Sequence, residues 1–203
     1  MIAIIDYGVG NLFSLRSSLK AVNEECIVTN DREQIHDCDR IILPGVGAFG
    51  DAMAKLKASG MDAVVKEEAA DGKKLLGICV GMQMLFEMGC EFGEHEGLGL
   101  IKGYVDAMSP RLSEHLDIPH MGWNPLHIVK PDCMLFDGIE ENDCMYFVHS
   151  YAAFDCDDAI TATCEYGLTV TAAVQSGNVF GTQFHPEKSG EKGLRILKNF
   201  CTH

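Results

Sequence analysis

The sequence predicts an α/β fold with a central, mostly parallel β-sheet flanked by helices and with antiparallel strands added in the second half of the chain. Short apolar runs alternate with helix-spaced apolar residues through the first half. Glycine-rich turns follow several of these runs, as they do at the carboxyl ends of strands in such sheets. The 203 residues, 47% of them hydrophobic, suffice for one core, so we expect a single domain over 1–203.

The first half of the chain predicts strands and helices in alternation. Leu12, Leu15, Leu19 and Val22 recur at helical spacing after Asn11, which is a suitable N-cap. The other predicted elements are strands at 2–5, 26–28, 40–43 and 74–78, and helices at 53–57 and 61–70. This order favours a parallel sheet whose chemistry lies beyond the carboxyl ends of its strands.

The second half is composed of shorter pieces. Between about residues 94 and 172, strand-like segments alternate with turn residues, among them 124–129, 145–148 and 159–164. We expect these segments to form antiparallel hairpins added to the sheet. A last strand at 179–183 and a closing helix at 194–200 follow, and no acceptor-substrate domain is expected after that helix.

Charge and cysteine distribution argue against several classes of function. The 30 acidic and 16 basic residues give a formal net charge of −14, which disfavours nucleic acid and anionic membranes as partners. No run approaches the roughly 20 apolar residues of a membrane span, and residues 1–6 resemble a strand more than a signal peptide. The nine cysteines are scattered singly without zinc-type spacing, so we expect a cytoplasmic protein with reduced thiols and no bound metal.

The most informative motif surrounds Cys79. An apolar strand ends at this cysteine, glycines stand two residues before and after it, and Met82, Leu85 and Phe86 predict a helix directly afterwards. Such a sharp turn displays a nucleophile at a strand end, and the glycines avoid side-chain clashes. A helix N-terminus also favours a thiolate. Alone, the pattern fits a reactive cysteine and a structural one equally well.

The last predicted strand supplies the matching base. His185 and Glu187 lie two residues apart, so that in an extended segment their side chains share one side. A thiol nucleophile needs a base that takes its proton and returns it to a leaving amine, and histidine does so near neutral pH. A carboxylate orients such a histidine. Cys79, His185 and Glu187 therefore form a predicted catalytic triad.

With these motifs the chain resembles the class I, triad-type glutamine amidotransferases over essentially its whole length. The elbow around Cys79 and the run 184–187 carry that resemblance. Within the family, the runs 6–11, 44–49, 120–124 and 146–151 resemble the glutaminase subunits of imidazole glycerol phosphate synthase. The resemblance implies the fold predicted above and a γ-glutamyl thioester formed by Cys79 with L-glutamine, with release of ammonia.

The resemblance also implies roles for residues around the triad. The backbone amides of Val46 and Val80 would stabilise the oxyanion. Glycines flank Val46, so a reorientation of this turn is sterically easy and makes it a candidate regulatory switch. Gln83, one helical turn past Cys79, would face the substrate, with a solvated helix residue as the alternative. The residues implied in glutamine binding are Gly47, Gln83 and Ser150.

Three residues are predicted at an interface with a partner subunit: Asn11, Trp123 and Lys188. Trp123 is the only tryptophan, and its sequence context leaves open a core position and an interface anchor. For Lys188 the alternative is an ordinary surface lysine. His149 is expected to be structural or interfacial, because the triad already contains a base.

The resemblance implies that the ammonia is used by a separate (β/α)8-barrel cyclase subunit. The resulting heterodimer would make imidazole glycerol phosphate and an aminoimidazole carboxamide ribotide in histidine biosynthesis. No cofactor is expected, because Phe13 stands where a dinucleotide motif beginning at Gly8 requires a third glycine. Two alternatives stay open: a glutaminase subunit of another ammonia-using synthase, and a catalytically silent regulatory module of the same fold.

Overall fold

The computed structural model describes residues 1–113 and 115–202. The strands are β1 (Ile2–Ile5), β2 (Cys26–Thr29), β3 (Arg40–Gly45), β4 (Lys74–Cys79), β5 (Phe86–Gly89), β6 (His95–Glu96), β7 (Ile101–Ala107), β8 (His120–Pro125), β9 (His127–Ile128), β10 (Cys144–His149), β11 (Tyr151–Phe154), β12 (Ile160–Glu165), β13 (Thr169–Ser176) and β14 (Val179–Thr182). The α-helices are α1 (Leu12–Ala21), α2 (Arg32–Asp37), α3 (Phe49–Ala58), α4 (Met61–Ala70), α5 (Val80–Gln83) and α6 (Gly190–Thr202).

The main sheet has eight strands in the order β2-β1-β3-β4-β14-β13-β12-β9. Its first five strands run parallel, and β13, β12 and β9 extend it antiparallel. The predicted α/β class with a mostly parallel sheet is therefore confirmed. Helix α1 packs against α6, whereas α2 and α3 pack against α4. With right-handed crossovers these two groups cover opposite faces of the sheet.

Two smaller sheets depart from the prediction that the second-half hairpins join the main sheet. Strand β10 pairs with β8, and β11, β7, β5 and β6 form a four-stranded sheet. Alternation of buried and exposed residues, as in β10, identifies a half-buried strand but does not say which sheet it joins. The prediction is thus correct for β9, β12 and β13 and wrong for β6, β7, β8, β10 and β11.

Helices α2 and α1 differ in how much their sequences reveal. Helix α2 escapes sequence-based prediction because only Ile35 of its six residues is buried, which leaves no apolar period to detect. Asn11 is the N-cap of α1, as predicted, and its side chain accepts a hydrogen bond from the Ser14 amide at 3.2 Å. No helix within 1–113 and 115–202 is long and apolar enough to span a membrane.

Strand register brings the chemistry-bearing segments together. In the parallel ladder of β3 and β4, Gly45 is the partner of Cys79, and in that of β14 and β4, Thr182 is the partner of Ile78. The carboxyl ends of three neighbouring strands therefore place the turn after β3, Cys79 and the segment after β14 at one edge of the sheet.

Candidate active site

Cys79 ends β4 in a backbone conformation that few residues other than glycine adopt. Its φ is 56° and its ψ is −114°, which marks a strained turn. The neighbouring glycines are required by close packing: a Cβ on Gly77 would lie 2.6 Å from the Gly81 carbonyl oxygen, and one on Gly81 would overlap the Leu43 carbonyl. Glycine at 77 therefore lets the elbow fold back on its own strand, and glycine at 81 lets it approach β3.

The helix after Cys79 is much shorter than predicted. Helix α5 ends at Gln83, and Phe86, whose spacing predicts a place in this helix, begins β5. Met82, Leu85 and Phe86 are all fully buried, and in a fully buried segment apolar spacing does not separate helix from strand. A four-residue helix has only a small dipole, so the predicted stabilisation of a thiolate by a helix N-terminus is weakened.

His185 is held in place by contacts of its backbone. Its amide donates to the Tyr146 carbonyl oxygen at 2.9 Å, and its own carbonyl accepts from the Ser189 hydroxyl at 2.6 Å. The Ser189 hydroxyl also accepts from the Tyr146 amide at 3.0 Å. These contacts tie the segment after β14 to β10 and leave the imidazole free to turn toward Cys79.

The three predicted triad residues are brought together in the structure. The His185 Nδ1 and Glu187 Oε1 atoms lie 2.8 Å apart, and both side chains are buried. Burial lowers the pKa of His185, but its interactions with Cys79 and Glu187 outweigh this and raise the pKa to about 9. At neutral pH the imidazole is therefore protonated, which is the form that donates a proton to a leaving amine.

The two predicted oxyanion residues flank the elbow. Val80 is the first residue of α5, where backbone amides have no partner within the helix. Val46 follows Gly45, the ladder partner of Cys79. Gly47 has a φ of +88°, and a Cβ at this position would contact nothing within 4 Å. Backbone conformation and not lack of space therefore explains glycine at this position.

A cavity of about 330 Å³ opens above Cys79. The predicted glutamine-binding residues Gly47, Gln83 and Ser150 all line it, together with His185, Val46 and Val80. Gln83 is buried, which excludes the alternative of a solvated helix residue. Its side-chain amide donates to the Tyr151 carbonyl oxygen at 3.1 Å and to Gln183 Oε1 at 3.0 Å.

Glu91 is a cavity residue that the sequence pattern does not reveal. It lies after β5 and lines the wall of the cavity, with Oε2 accepting a hydrogen bond from the Phe49 amide at 2.7 Å. The sequence contains 30 acidic residues, and no spacing to another motif separates this one from the rest. Among the described residues, no group of three or more His, Cys, Asp or Glu side chains is arranged to hold a metal ion.

His149 is buried beside the cavity and bonded to a second histidine. Its Nε2 atom lies 3.0 Å from His120 Nδ1, and its Nδ1 atom lies 2.8 Å from the Tyr151 carbonyl oxygen. Because a carbonyl only accepts, His149 Nδ1 carries a proton, and His120 Nδ1 must then donate to His149 Nε2. This geometry fits the predicted structural role of His149.

The three predicted interface residues are on the surface. Trp123 is 55% exposed, which excludes a core position, and its ring meets Tyr146 edge-on with centroids 6.2 Å apart. The Lys188 ammonium lies 5.8 Å from the centroid of the Tyr146 ring and borders the cavity. Asn11 lines another groove with the exposed Phe13, and Glu187, the residue before Lys188, also lines that groove.

Comparisons with known proteins identify the family of this chain. The family model for Glutamine amidotransferase class-I matches residues 3–203. Two curated relatives are named imidazole glycerol phosphate synthase subunit HisH. The protein from Oceanobacillus iheyensis is 49% identical over 201 residues, covering 98% of each chain. The one from Sulfurimonas denitrificans is 49% identical over 207 residues, covering 100% of this chain and 98% of its own.

Solved structures show the same fold. A glutamine amidotransferase crystal structure matches with a TM-score of 0.75 at 17% identity, covering 98% of this chain and 97% of the other. PurLQS from Thermotoga maritima matches with a TM-score of 0.74 at 21% identity, covering 98% and 96%. The resemblance identified from the sequence is thereby confirmed: the chain belongs to the class I glutamine amidotransferase family and, within it, groups with the HisH subunits of imidazole glycerol phosphate synthase.

Proposed function

We propose that this chain hydrolyses L-glutamine to glutamate and ammonia and supplies the ammonia to the cyclase subunit of imidazole glycerol phosphate synthase. The observation that carries the proposal is the buried contact of His185 with Glu187 and Cys79 at the base of a cavity. Membership of the family and 49% identity to HisH subunits support it.

Cys79 acts as the nucleophile. Its sulfur, as the thiolate, attacks the side-chain carboxamide carbon of glutamine, so that a C–S bond forms. As the tetrahedral intermediate collapses, the C–N bond breaks, and protonated His185 gives its proton to the departing nitrogen, which leaves as ammonia. Water then attacks the γ-glutamyl thioester while His185 takes the water proton. The C–S bond breaks, which regenerates the Cys79 thiolate beside a protonated His185 and releases the γ-carboxylic acid. That acid gives its proton to solvent and becomes glutamate.

Negative charge on the carbonyl oxygen needs donors that are in place before the reaction. The backbone amides of Val80 and Val46 flank the elbow and both residues line the cavity. We therefore assign them to the oxyanion hole. Loss of one such donor elsewhere costs about 3–4 kcal/mol of transition-state stabilisation, so the conformation of the Gly47 turn strongly affects the rate.

One charged residue of the cavity suits the α-ammonium end of a free amino acid. Glu91 offers a carboxylate to the α-ammonium group of glutamine. Gly47, Gln83 and Ser150 lie around the same space and supply backbone and amide groups for the rest of the substrate. The volume of about 330 Å³ is at the small end of ligand pockets, as expected for one amino acid.

Ammonia leaves toward a partner protein. In bulk water at neutral pH it would be protonated and no longer nucleophilic, so sheltered transfer is required. Met121 and Trp123 are 61% and 55% exposed, and with Tyr146 and Lys188 they form a surface beside the cavity. Aromatic and methionine side chains are typical of interface cores. We assign this surface, with Asn11, to contact with a (β/α)8-barrel cyclase subunit.

The decisive experiment measures glutamate formation from glutamine by the chain alone and with the cyclase and its nucleotide substrate. We expect hydrolysis with the partner, its loss in Cys79→Ser, and its retention in Cys144→Ser, which removes an exposed cysteine outside the cavity. Hydrolysis no faster than background in the complete mixture would overturn the proposal. Absence of both turnover and Cys79 labelling by a glutamine-like electrophile would instead favour the silent module. Capture of a different synthase would favour the other alternative.

A further inference from the structure

Gln183 lies beneath the elbow and takes no part in the reaction proposed above. It follows β14 directly and is completely buried, and its backbone amide donates to the Ala172 carbonyl at 2.8 Å. Thr182 pairs with Ile78 in the parallel ladder, so the next residue, Gln183, comes beside Cys79. Its side-chain nitrogen Nε2 lies 3.9 Å from the Cys79 sulfur.

The orientation of the Gln183 amide follows from its neighbours. The Tyr151 carbonyl can only accept, so the end of Gln83 that lies 3.1 Å from it is the amide nitrogen. The same nitrogen lies 3.0 Å from Gln183, which must present its oxygen there. The Gln183 NH₂ group is therefore directed toward sulfur, and a flipped amide would set two donors against each other.

We propose that Gln183 is a positioning residue that donates a hydrogen bond to the Cys79 sulfur and stabilises its thiolate form. This inference rests on the proposed role of Cys79 as nucleophile. A donor to the charged form favours ionisation, and only the thiolate is an effective nucleophile. The four-residue α5 supplies little dipole, so this support comes from Gln183, which Gln83 holds in the donating orientation. Gln83 thus serves the thiol as well as the substrate cavity.

The test follows ionisation of Cys79 directly. The variants below leave unchanged the other titratable groups that line the cavity of Cys79 or interact with Cys79 or His185. These groups are His185, Glu187, His149, Glu91, Tyr7, Tyr151 and Lys188. The rate of Cys79 alkylation by iodoacetamide is measured against pH by peptide mass spectrometry in the full chain. Exposed Cys144 serves as the internal reference.

Gln183→Met keeps the length of the side chain but removes the donor. We expect the pH midpoint of Cys79 alkylation to rise by about one unit, and alkylation below the midpoint to slow by about tenfold. We expect kcat/KM for glutamine near neutral pH to fall by about tenfold, with KM changed less than about threefold. Gln175→Met is the matched control and should change neither quantity. It removes a glutamine of β13 whose side-chain amide donates to the nearby Gly177 carbonyl.

Gln183→Glu is the second variant, because it keeps an oxygen for Gln83 and decides the question if Gln183→Met does not fold. It should raise the midpoint at least as much, since a carboxylate near sulfur opposes the thiolate. An unshifted midpoint in a folded Gln183 variant overturns the inference. A shifted midpoint in a chain that hydrolyses no glutamine even with the cyclase and its nucleotide substrate supports the inference and overturns the proposed function, so the two failures are distinguishable.

Discussion

Acidification from about pH 7 to pH 5 should destabilise the folded chain through the histidine pair His120 and His149. The two imidazoles are bonded at 3.0 Å and are only 2% and 6% exposed. Burial lowers the pKa of His120 to about 4, and burial, opposed in part by the Tyr151 carbonyl, lowers the pKa of His149 to about 3. Both stay largely neutral in the folded chain at about pH 5, whereas the unfolded chain protonates them near pH 6.5.

The size of the effect follows from proton linkage. A histidine with a lowered folded pKa contributes stability that is present above about pH 6.5 and is lost as the pH falls toward the folded value. Over the interval from about pH 7 to 5 this amounts to about 1.9 kcal/mol for each member of the pair. His185 has a raised pKa of about 9, so its contribution grows as the pH falls and adds back about 0.8 kcal/mol. The expected net loss is about 3 kcal/mol.

The assay is urea unfolding followed by circular dichroism near pH 7, 6 and 5. The test variant His120→Asn keeps a donor near the position of Nδ1 but removes one titrating group. It loses the stacking of His120 on Phe147 and Tyr166, so its stability falls at every pH, and the quantity to compare is the difference between pH values. That difference should shrink by about 1.9 kcal/mol. The control His115→Gln, at an exposed histidine, should leave the stability difference between pH 7 and pH 5 unchanged.

Parallel stability curves for the wild type and His120→Asn would refute this reasoning. The measured interval stops near pH 5 because the carboxyl groups of Glu68, Asp39 and Glu141 have lowered pKa values. At lower pH these groups protonate, and the stabilising interactions of their charges are lost. A stability loss confined to lower pH would therefore assign acid sensitivity to carboxyl groups and not to the histidine pair.

Three further outcomes are expected. Glu187→Gln removes the charge that supports the His185 imidazolium, so kcat for glutamine should fall by about 10³-fold or more with little change in KM. A kcat within about threefold of wild type would contradict the triad. Gly81→Ala places a Cβ on the Leu43 carbonyl and should prevent folding or lower the free energy of unfolding in urea by more than about 3 kcal/mol. The control Gly60→Ala has open space but a positive φ, and it should lower that free energy by about 1–2 kcal/mol. Trp123→Ala should weaken cyclase binding by about 30-fold or more in calorimetry without lowering chain stability, and unchanged affinity would remove this surface from the proposed interface.

Sequence patterns located most of the main sheet because its strands are continuous apolar runs. All four residues of β1 are buried, and β3 and β4 are buried beyond their first residue. Their short length and the glycine-rich turns that follow are typical of strands in a parallel sheet. The same patterns failed after Cys79, where Leu85 and Phe86 are buried at helical spacing but enter a turn and a strand. They also could not assign β8 and β10 to a separate sheet, since pairing depends on contacts far apart in sequence.

Some residues of the candidate site can be predicted from local motifs, and others cannot. Cys79, His185 and Glu187 stand in motifs whose residue types and spacing have a chemical reason, so the amino-acid sequence alone is enough to select them. Glu91 and Gln183 have no such local signal. Their place beside the elbow depends on the loop after β5 and on the register of β14 against β4.

The environment of the Cys79 sulfur depends on a residue far from it in sequence. The local pattern suggested that a helix N-terminus supports the thiolate, but α5 has only four residues, and the neighbouring donor comes from a residue 104 positions away. Because Gln183 is fixed by the main sheet and by Gln83, the electrostatic environment of Cys79 is set by tertiary packing. A substitution at Gln183 that preserves the strand register should therefore change the ionisation of the nucleophile while leaving the elbow itself intact, whereas a change at Gly77 or Gly81 removes both together.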